Sequence, residues 1–287
     1  MSRPNLQVSF SGGRTSAYMC FKLMEHCRDE YNMAFTFANT GEEHADTLRF
    51  ADAVDRHLGL GLVWLEAKVN EGRVASTHQV VSYETASRHG EPFERVVQKY
   101  GLPSSSFKHC TRELKANVMS SYAESLWGTD YQIAIGIRAD ERRRVSPSAT
   151  SQRIIYPLVD RWPTRKEDVL WHFEQFDWDL RIPEHLGNCV TCFQKSAPKL
   201  NTIYRTEPER FDFFLKLEDL YSDVGPNYVP GPRKIFRGFQ STRDLLQGFR
   251  QAGDTSRMFR EEDSGTCSES CEVYETSLQM EFDFMST

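Results

Sequence analysis

Short apolar runs alternating with amphipathic helical ones constrain this chain more than any other feature in it. LQVSF (6–10), MAFTFA (33–38), LVWLE (62–66), YQIAIGI (131–137) and RIIYPL (153–158) read as buried strands. Between them, residues 16–27, 45–58 and 111–127 carry apolar side chains at helical spacing. Phe50, Ala51, Val54 and Leu58 share one face of the second, and Leu114, Val118, Tyr122 and Leu126 one face of the third. Residues 164–176 are expected to form a further helix, with Thr164 as N-cap and Glu167 completing a capping box. Strands alternating with helices imply βαβ units, hence an α/β fold with a doubly wound, mostly parallel, five-stranded sheet. Ligands of such sheets bind beyond the carboxyl ends of the strands, where strand order reverses.

Between the first strand and first helix stands Ser11-Gly12-Gly13-Arg14-Thr15-Ser16. Glycines there let the main chain approach a phosphate, and the amides and dipole of the helix start converge on the same point. The bland alternative is a Gly-Gly turn with a hydroxyl cap. Arg14 either lends charge to phosphates or is a solvated residue at a helix start. After the strand at 131–137 come Arg138, Arg142, Arg143 and Arg144. Planar guanidiniums suit bidentate contact with phosphate or sulfate, and Arg138, directly behind Gly136-Ile137, is the preferred contact. Arg112 and Lys115 are second candidates, and His109 reads as a helix-start residue.

Seven cysteines are present. Cys20 and Cys27 fall in the apolar stripe of the first helix and read as small core residues. Cys110, Cys189, Cys192, Cys267 and Cys271 sit in loops or at element ends, where chemistry is commonly done. In a reducing compartment such thiols point to metal or redox work rather than to disulfides.

No stretch approaches the eighteen or so consecutive apolar residues of a membrane span, and the first residues lack the apolar region of a signal peptide. A cytoplasmic protein is therefore expected. The formal net charge of −6 hides an asymmetry. Residues 261–287 carry eight acids and no Lys or Arg, whereas the rest carries 35 basic and 33 acidic residues. The acidic end is expected to be a solvated tail, with a fold back over a basic site as the alternative. The overall charge thus does not exclude an anionic ligand.

Taken together, these segments resemble the phosphoadenosine phosphosulfate (PAPS) reductase-like family of the adenine nucleotide alpha hydrolase superfamily, which use a PP-loop to hold pyrophosphate. SGGRTS is similar to that loop, and FANTGEEHADTLRFADAVDRHLGL (37–60) to the second strand and helix, where Asn/Asp-Thr-Gly follows the strand. HCTRELKANVM (109–119), AIGIRADERRR (134–144), IYPLVDRWPTRKEDVLWHF (155–173) and GNCVTCF (187–193) resemble further family segments in the family's order. The last resembles the Cys-x-x-Cys of cluster-binding members.

The resemblance implies an adenine nucleotide, ATP or PAPS with Mg2+, on Ser9, Ser11, Gly12, Gly13, Arg14, Thr15, Ser16, Asn39, Thr40, Gly41, Gly136 and Arg138. It implies catalytic roles for Arg138, Arg14 and Ser16. A 4Fe-4S cluster is expected on Cys110, Cys189, Cys192 and Cys271, with Cys267 or no protein group as the other fourth ligand. Zinc and unligated thiols are the alternatives. ATP-cleaving members commonly have Asp where Thr15 stands.

Three activities stay open at this point. The first uses ATP to adenylate an acceptor, with release of pyrophosphate, for sulfur transfer. The second is a PAPS or APS reductase with a nucleophilic C-terminal cysteine, although the tail lacks the reductases' Glu-Cys-Gly-x-His. The third is a nucleotide-binding protein without turnover. The partners implied are an adenine nucleotide, a sulfur acceptor with nucleic acid as one option, a sulfur donor or thioredoxin-like reductant, and no membrane; a homodimer is left open. A nucleotide-binding domain is expected over 1–198, a helical extension over 199–252, and a flexible Cys-containing tail over 253–287.

Overall fold

The computed structural model describes residues 3–104, 107–225, 231–236 and 240–253. The acidic segment, with Cys267 and Cys271, lies outside the described residues.

The first half alternates as the apolar pattern requires. Strands β1 (Asn5–Ser9), β2 (Asn32–Ala38) and β3 (Val63–Lys68) are separated by helices α1 (Arg14–His26) and α2 (Ala45–Leu58). Antiparallel β4 (Thr77–Val81) follows, then helix α3 (Glu91–Tyr100). A helical run opens with the turn α4 (His109–Thr111), widens into a π-helical turn over Arg112–Ala116, and continues as α5 (Asn117–Trp127). Strands β5 (Gln132–Ile135) and β6 (Ile154–Ile155), the short helix α6 (Pro157–Asp160) and α7 (Lys166–Phe173) complete the sheet region. The C-terminal part adds α8 (Ala197–Thr206), α9 (Asp212–Tyr221) and α10 (Thr242–Ala252).

The sheet has six strands in the order β4-β3-β2-β1-β5-β6, and every pair except β3–β4 is parallel. The chain runs outward from β1 through β2 to β3, then crosses to β5 and β6 on the other side. Strand order therefore reverses between β1 and β5.

Both faces are covered, and β1 shows how. Leu6 and Val8 are fully buried with Ala17, Met19 and Leu23 of α1, Phe50 of α2 and Phe173 of α7. Each of these side chains larger than Ala17 contributes about 1.5–3 kcal/mol by leaving water. The alternate residues face α5: Gln7 Nε2 donates to the Met119 carbonyl at 2.9 Å. On that second face Phe93, Leu114 and Val118 pack with Ile203, Phe211, Phe214, Leu217 and Phe236. The C-terminal helices thus share a core with the sheet. Cys20 and Cys27 are fully buried, as their place in the α1 stripe implies.

Four sequence expectations are corrected. The sheet has a sixth strand, because β4 pairs antiparallel with β3 although its THQVV is only weakly alternating and half exposed. RIIYPL is a strand only at Ile154–Ile155, since Pro157 starts α6 and ends ladder pairing. Helix α7 begins later than expected: the Arg165 amide donates to Asp168 Oδ2 at 2.7 Å, while the Thr164 hydroxyl turns to the Trp162 carbonyl. A strict four-residue stripe drifts round an α-helix by about 40° per step, so the buried face of α5 is Val118, Met119 and Ala123, and Leu126 at its end is 47% exposed.

Candidate functional site

The turn after β1 and the turn after β5 meet at the reversal of strand order. Gly12 takes φ +79°, and a Cβ there would stand 2.6 Å from Thr47 Cγ2, so only glycine lets the loop lie against α2. Within the loop the Ser11 amide donates to Ser16 Oγ at 3.0 Å, and Ser16 Oγ donates to the Gly13 carbonyl at 2.9 Å. The Ser11 and Ser16 hydroxyls lie 2.9 Å apart. Gly13 caps α1 without a side-chain bond, so the first-turn amides of α1 face this loop. On the β5 side, a Cβ on Gly136 would stand 2.9 Å from Ser16 Cα. The two turns are in backbone contact.

Arg138 is brought directly to the loop. Its Nη1 donates to Thr15 Oγ1 at 3.1 Å, and Nε and Nη2 grip Asp140 at 3.0 and 3.1 Å. Glu141 Oε2 lies 3.3 Å from Nη1, and Glu141 Oε1 holds Arg144 at 2.8 Å. Burial works against ionising Asp140, but the Arg138 guanidinium outweighs it and holds that carboxyl below the usual range. Arg14, the other guanidinium named from the sequence, is directed elsewhere. Its Nε and Nη2 meet Asp179 Oδ1 and Oδ2 at 2.7 and 2.8 Å, and it also donates to the Leu180 carbonyl. Arg14 therefore ties α1 to the segment after α7.

Beside this loop, the end of β2 is held from below. Asn39 is fully buried, and its Nδ2 donates to Glu66 Oε1 at 2.7 Å and to the Ser87 carbonyl at 2.9 Å. Its Oδ1 accepts from the Gly41 amide at 3.3 Å. Thr40 donates from amide and hydroxyl to Glu43 at 3.0 and 2.8 Å. Asn39 thus shapes the turn, and Thr40 is the residue that faces the second site. Ser9 is buried, its hydroxyl 3.5 Å from Met119 Sδ.

That second site is a small hollow lined by Cys110, Cys189 and Cys192 together with Thr40, Phe93, Leu114, Lys115, Phe193 and Phe214. Each of the three cysteines is only 8% exposed. Cys110 stands at the opening of the helical run, directly before the π turn, a distortion common at functional sites. Cys189 follows Asn188, which takes φ +57°, a conformation Asn tolerates better than most residues. Residues 189–190 then lie along the β2 turn: Glu43 bridges Cys189, and the Val190 amide donates to the Glu42 carbonyl at 3.2 Å. The Cys192 amide donates to the Cys189 carbonyl at 3.1 Å. Thr40 Oγ1 lies 3.5 Å from Cys189 Sγ and joins the two sites.

Three thiols from two distant segments around one largely apolar hollow are a donor set for a soft metal or an iron–sulfur cluster. Among the described residues, no three His, Cys, Asp or Glu side chains converge tightly enough to hold a single metal ion as they stand. Cys271, the fourth thiol named from the sequence, lies outside the described residues. His109, beside Cys110, stacks near Tyr100 at 6.0 Å, and burial lowers its pKa to about 4. Burial, with Glu43 adding to it, pushes Glu42 up to about 8 against the pull of Arg210.

Sequence reasoning missed Phe93 and Phe214, which wall the cavity, and Glu43 and Glu66, which hold the β2 turn. The Glu42-Glu43 pair behind Asn39-Thr40-Gly41 was a signal for one of them. Nothing local marks Glu66, Phe93 or Phe214, because their roles arise from packing between segments far apart in the chain.

A nucleotide-type loop at the sheet's switch point, beside a three-cysteine cavity, defines a class, and the chain belongs to it: the phosphoadenosine phosphosulfate reductase domain family, whose pattern matches residues 5–153. This is a nucleotide-binding family of sulfur-related enzymes. Among individual proteins, the chain is similar to the uncharacterized nin region protein ORF290 of Escherichia phage lambda. They are 32% identical over 289 residues, covering 96% of this chain and 97% of that protein. It is also similar to the uncharacterized protein MJ0066 of Methanocaldococcus jannaschii, 24% identical over 240 residues, covering 81% of this chain and 45% of the archaeal protein. Among solved structures, the U34-tRNA thiolase NcsA from Methanococcus maripaludis, with its 4Fe-4S cluster, overlaps 98% of this chain and 84% of its own. The TM-score is 0.42 at 16% identity. No described helix is long and apolar enough to cross a membrane.

Proposed function

We propose that this chain binds ATP at the β1–β5 switch point and transfers its adenylyl group to an acceptor, as the activating step of a sulfur transfer. The acceptor oxygen forms a bond to the α-phosphorus, the bond to the β-phosphate oxygen breaks, and pyrophosphate leaves. The Ser11–Ser16 loop and the first-turn amides of α1 would hold the leaving diphosphate, and Arg138 the charge growing on the α-phosphate. Catalysis of this kind is positioning plus electrostatic stabilisation. Cys110, Cys189 and Cys192 would hold a 4Fe-4S cluster, which supplies sulfur-handling and redox chemistry beside the activated acceptor. A single zinc ion is the alternative occupant; its bonds of about 2.3 Å to thiolate sulfur demand tighter convergence of the thiols than a cluster does.

The observation that carries the reading is Thr40, which belongs to the β2 turn beside the phosphate-type loop, lines the cysteine cavity and lies 3.5 Å from Cys189 Sγ. Activation and sulfur chemistry would then occur side by side. The family match favours a second reading, a PAPS or APS reductase that releases sulfite.

Incubation with labelled ATP and with labelled PAPS separates the two readings. Acceptor-dependent pyrophosphate supports the first, whereas sulfite from PAPS supports the second and overturns the first. Binding of nucleotide with neither product would show a protein that binds without turnover. Iron and sulfide analysis of anaerobically prepared protein tests the cluster.

A further inference from the structure

The segment that carries Cys189 and Cys192 also carries two lysines sealed from solvent. Lys195 exposes 4% of its surface and Lys199 5%. Lys199 Nζ meets Glu184 Oε1 at 3.1 Å, which anchors α8 to the loop before the cysteines. Lys195 acts on the cysteine turn itself. Its Nζ donates to the His185 carbonyl at 2.5 Å and to the Val190 carbonyl at 2.8 Å, and its own amide donates to the Cys192 carbonyl at 3.0 Å. One side chain therefore binds the chain on both sides of Cys189, from a residue three positions beyond Cys192.

This geometry has two consequences. The turn over residues 187–192, which includes the positive-φ Asn188, is closed by an internal clamp in addition to its contacts with the β2 turn. The clamp is also a charge. An ammonium taken out of water is costly, and it interacts far more strongly with nearby anions than it would at the surface. Val190, whose carbonyl it grips, stands between Cys189 and Cys192. Deprotonated thiols, and a cluster held by them, are anionic.

We propose that Lys195 is a positioning residue of the cysteine site, its buried ammonium clamping the turn that presents Cys189 and Cys192 and setting a positive charge against the backbone between them. The inference rests on the cluster reading given above. A nearby positive charge favours adding an electron to a cluster, since net charge around the site tunes its potential.

The test uses the full chain, reconstituted anaerobically with ferrous iron and sulfide, as wild type, Lys195→Gln and Lys195→Arg. Iron content, visible spectrum, midpoint potential and rate of iron loss to a chelator are measured, with the melting temperature of each metal-free protein alongside. In Lys195→Gln the potential is expected to move to more negative values and iron loss to quicken at least about tenfold. Lys195→Arg, which keeps the charge, is expected to hold its potential near that of the wild type. A purely structural role would lower the melting temperature without moving the potential. Should the Gln variant not fold, Lys195→Met, which fills the same space without a buried polar group, is measured in its place. Wild-type potential and iron retention in the charge-free variant overturn the inference and leave the cluster reading standing. A wild-type chain that takes up no iron overturns both.

Discussion

Arg138 Nη1 donates to the hydroxyl of Thr15 at 3.1 Å, across 123 positions of sequence. The bond closes the mouth of the phosphate-type loop at the place where the family resemblance leads one to expect an aspartate. Around it stand Arg138 and Arg144, held by Asp140 and Glu141. Two cations and two carboxylates balance, and Thr15 adds no charge. An aspartate at 15 would make the set net negative, a mouth that needs a divalent cation before it admits phosphates.

Thr15→Asp is therefore expected to make nucleotide binding dependent on Mg2+. Calorimetric titration with ATP in chelator should show affinity at least about tenfold weaker than wild type, equivalent to about 1.4 kcal/mol. Excess Mg2+ should restore most of it. Equal affinity in chelator would remove the electrostatic reading of Thr15.

Gly136 tests the contact between the two turns. A Cβ there meets Ser16 Cα at 2.9 Å and Ser16 N at 3.2 Å, both backbone atoms with no flexible end to swing away. Gly136→Ala is expected to cost about 1–3 kcal/mol by overpacking and to displace the loop. Chemical denaturation gives the first effect and nucleotide affinity the second. A variant as stable as wild type, with unchanged affinity, would mean that this contact does not set the loop.

What the sequence disclosed follows from how local each feature is. The β1 strand, the Ser-Gly-Gly turn and α1 are contiguous, so one short stretch carries both the element types and the loop between them. Gly136-Ile137-Arg138 was legible for the same reason, and Arg138 does reach the loop. Arg14 was ambiguous because its partner, Asp179, lies 165 positions away. Strand β4 escaped because an exposed edge strand has only one covered face to pattern its residues, and Val80 is 57% exposed. Cys110, Cys189 and Cys192 could be named singly, but their common cavity is made by Phe93 and Phe214, which no motif connects. Lys195 was hidden in plain view, since an isolated lysine reads as solvent-exposed until its carbonyl partners are seen.

Cys192→Ala addresses the metal site. If Cys110, Cys189 and Cys192 hold a cluster, removing one of three buried thiols should abolish the broad visible absorbance and most of the iron after anaerobic reconstitution. Ser at the same position is expected to retain little more, because a harder oxygen ligand suits the cluster poorly. Zinc in stoichiometric amount with no colour in the wild type would assign the same thiols to a structural ion.

Glu42 gives the fold a pH dependence of defined sign. Burial and the neighbouring Glu43 carboxylate raise its pKa from 4.5 to about 8. Below the lower value both folded and unfolded chains hold the proton, and the full contribution to stability is present. Between the two values the unfolded chain releases a proton that the folded chain keeps, so stability falls as pH rises, by up to about 1.4 kcal/mol per unit. Above about 8 the folded carboxyl also ionises and the loss levels off. Glu42→Gln cannot ionise and so escapes this loss. The urea midpoint of the metal-free Gln variant, relative to wild type, is expected to rise steadily from mildly acidic pH to about 8. A difference that stays constant over that range would show that Glu42 is ionised in the folded chain, with Arg210 rather than burial governing its charge.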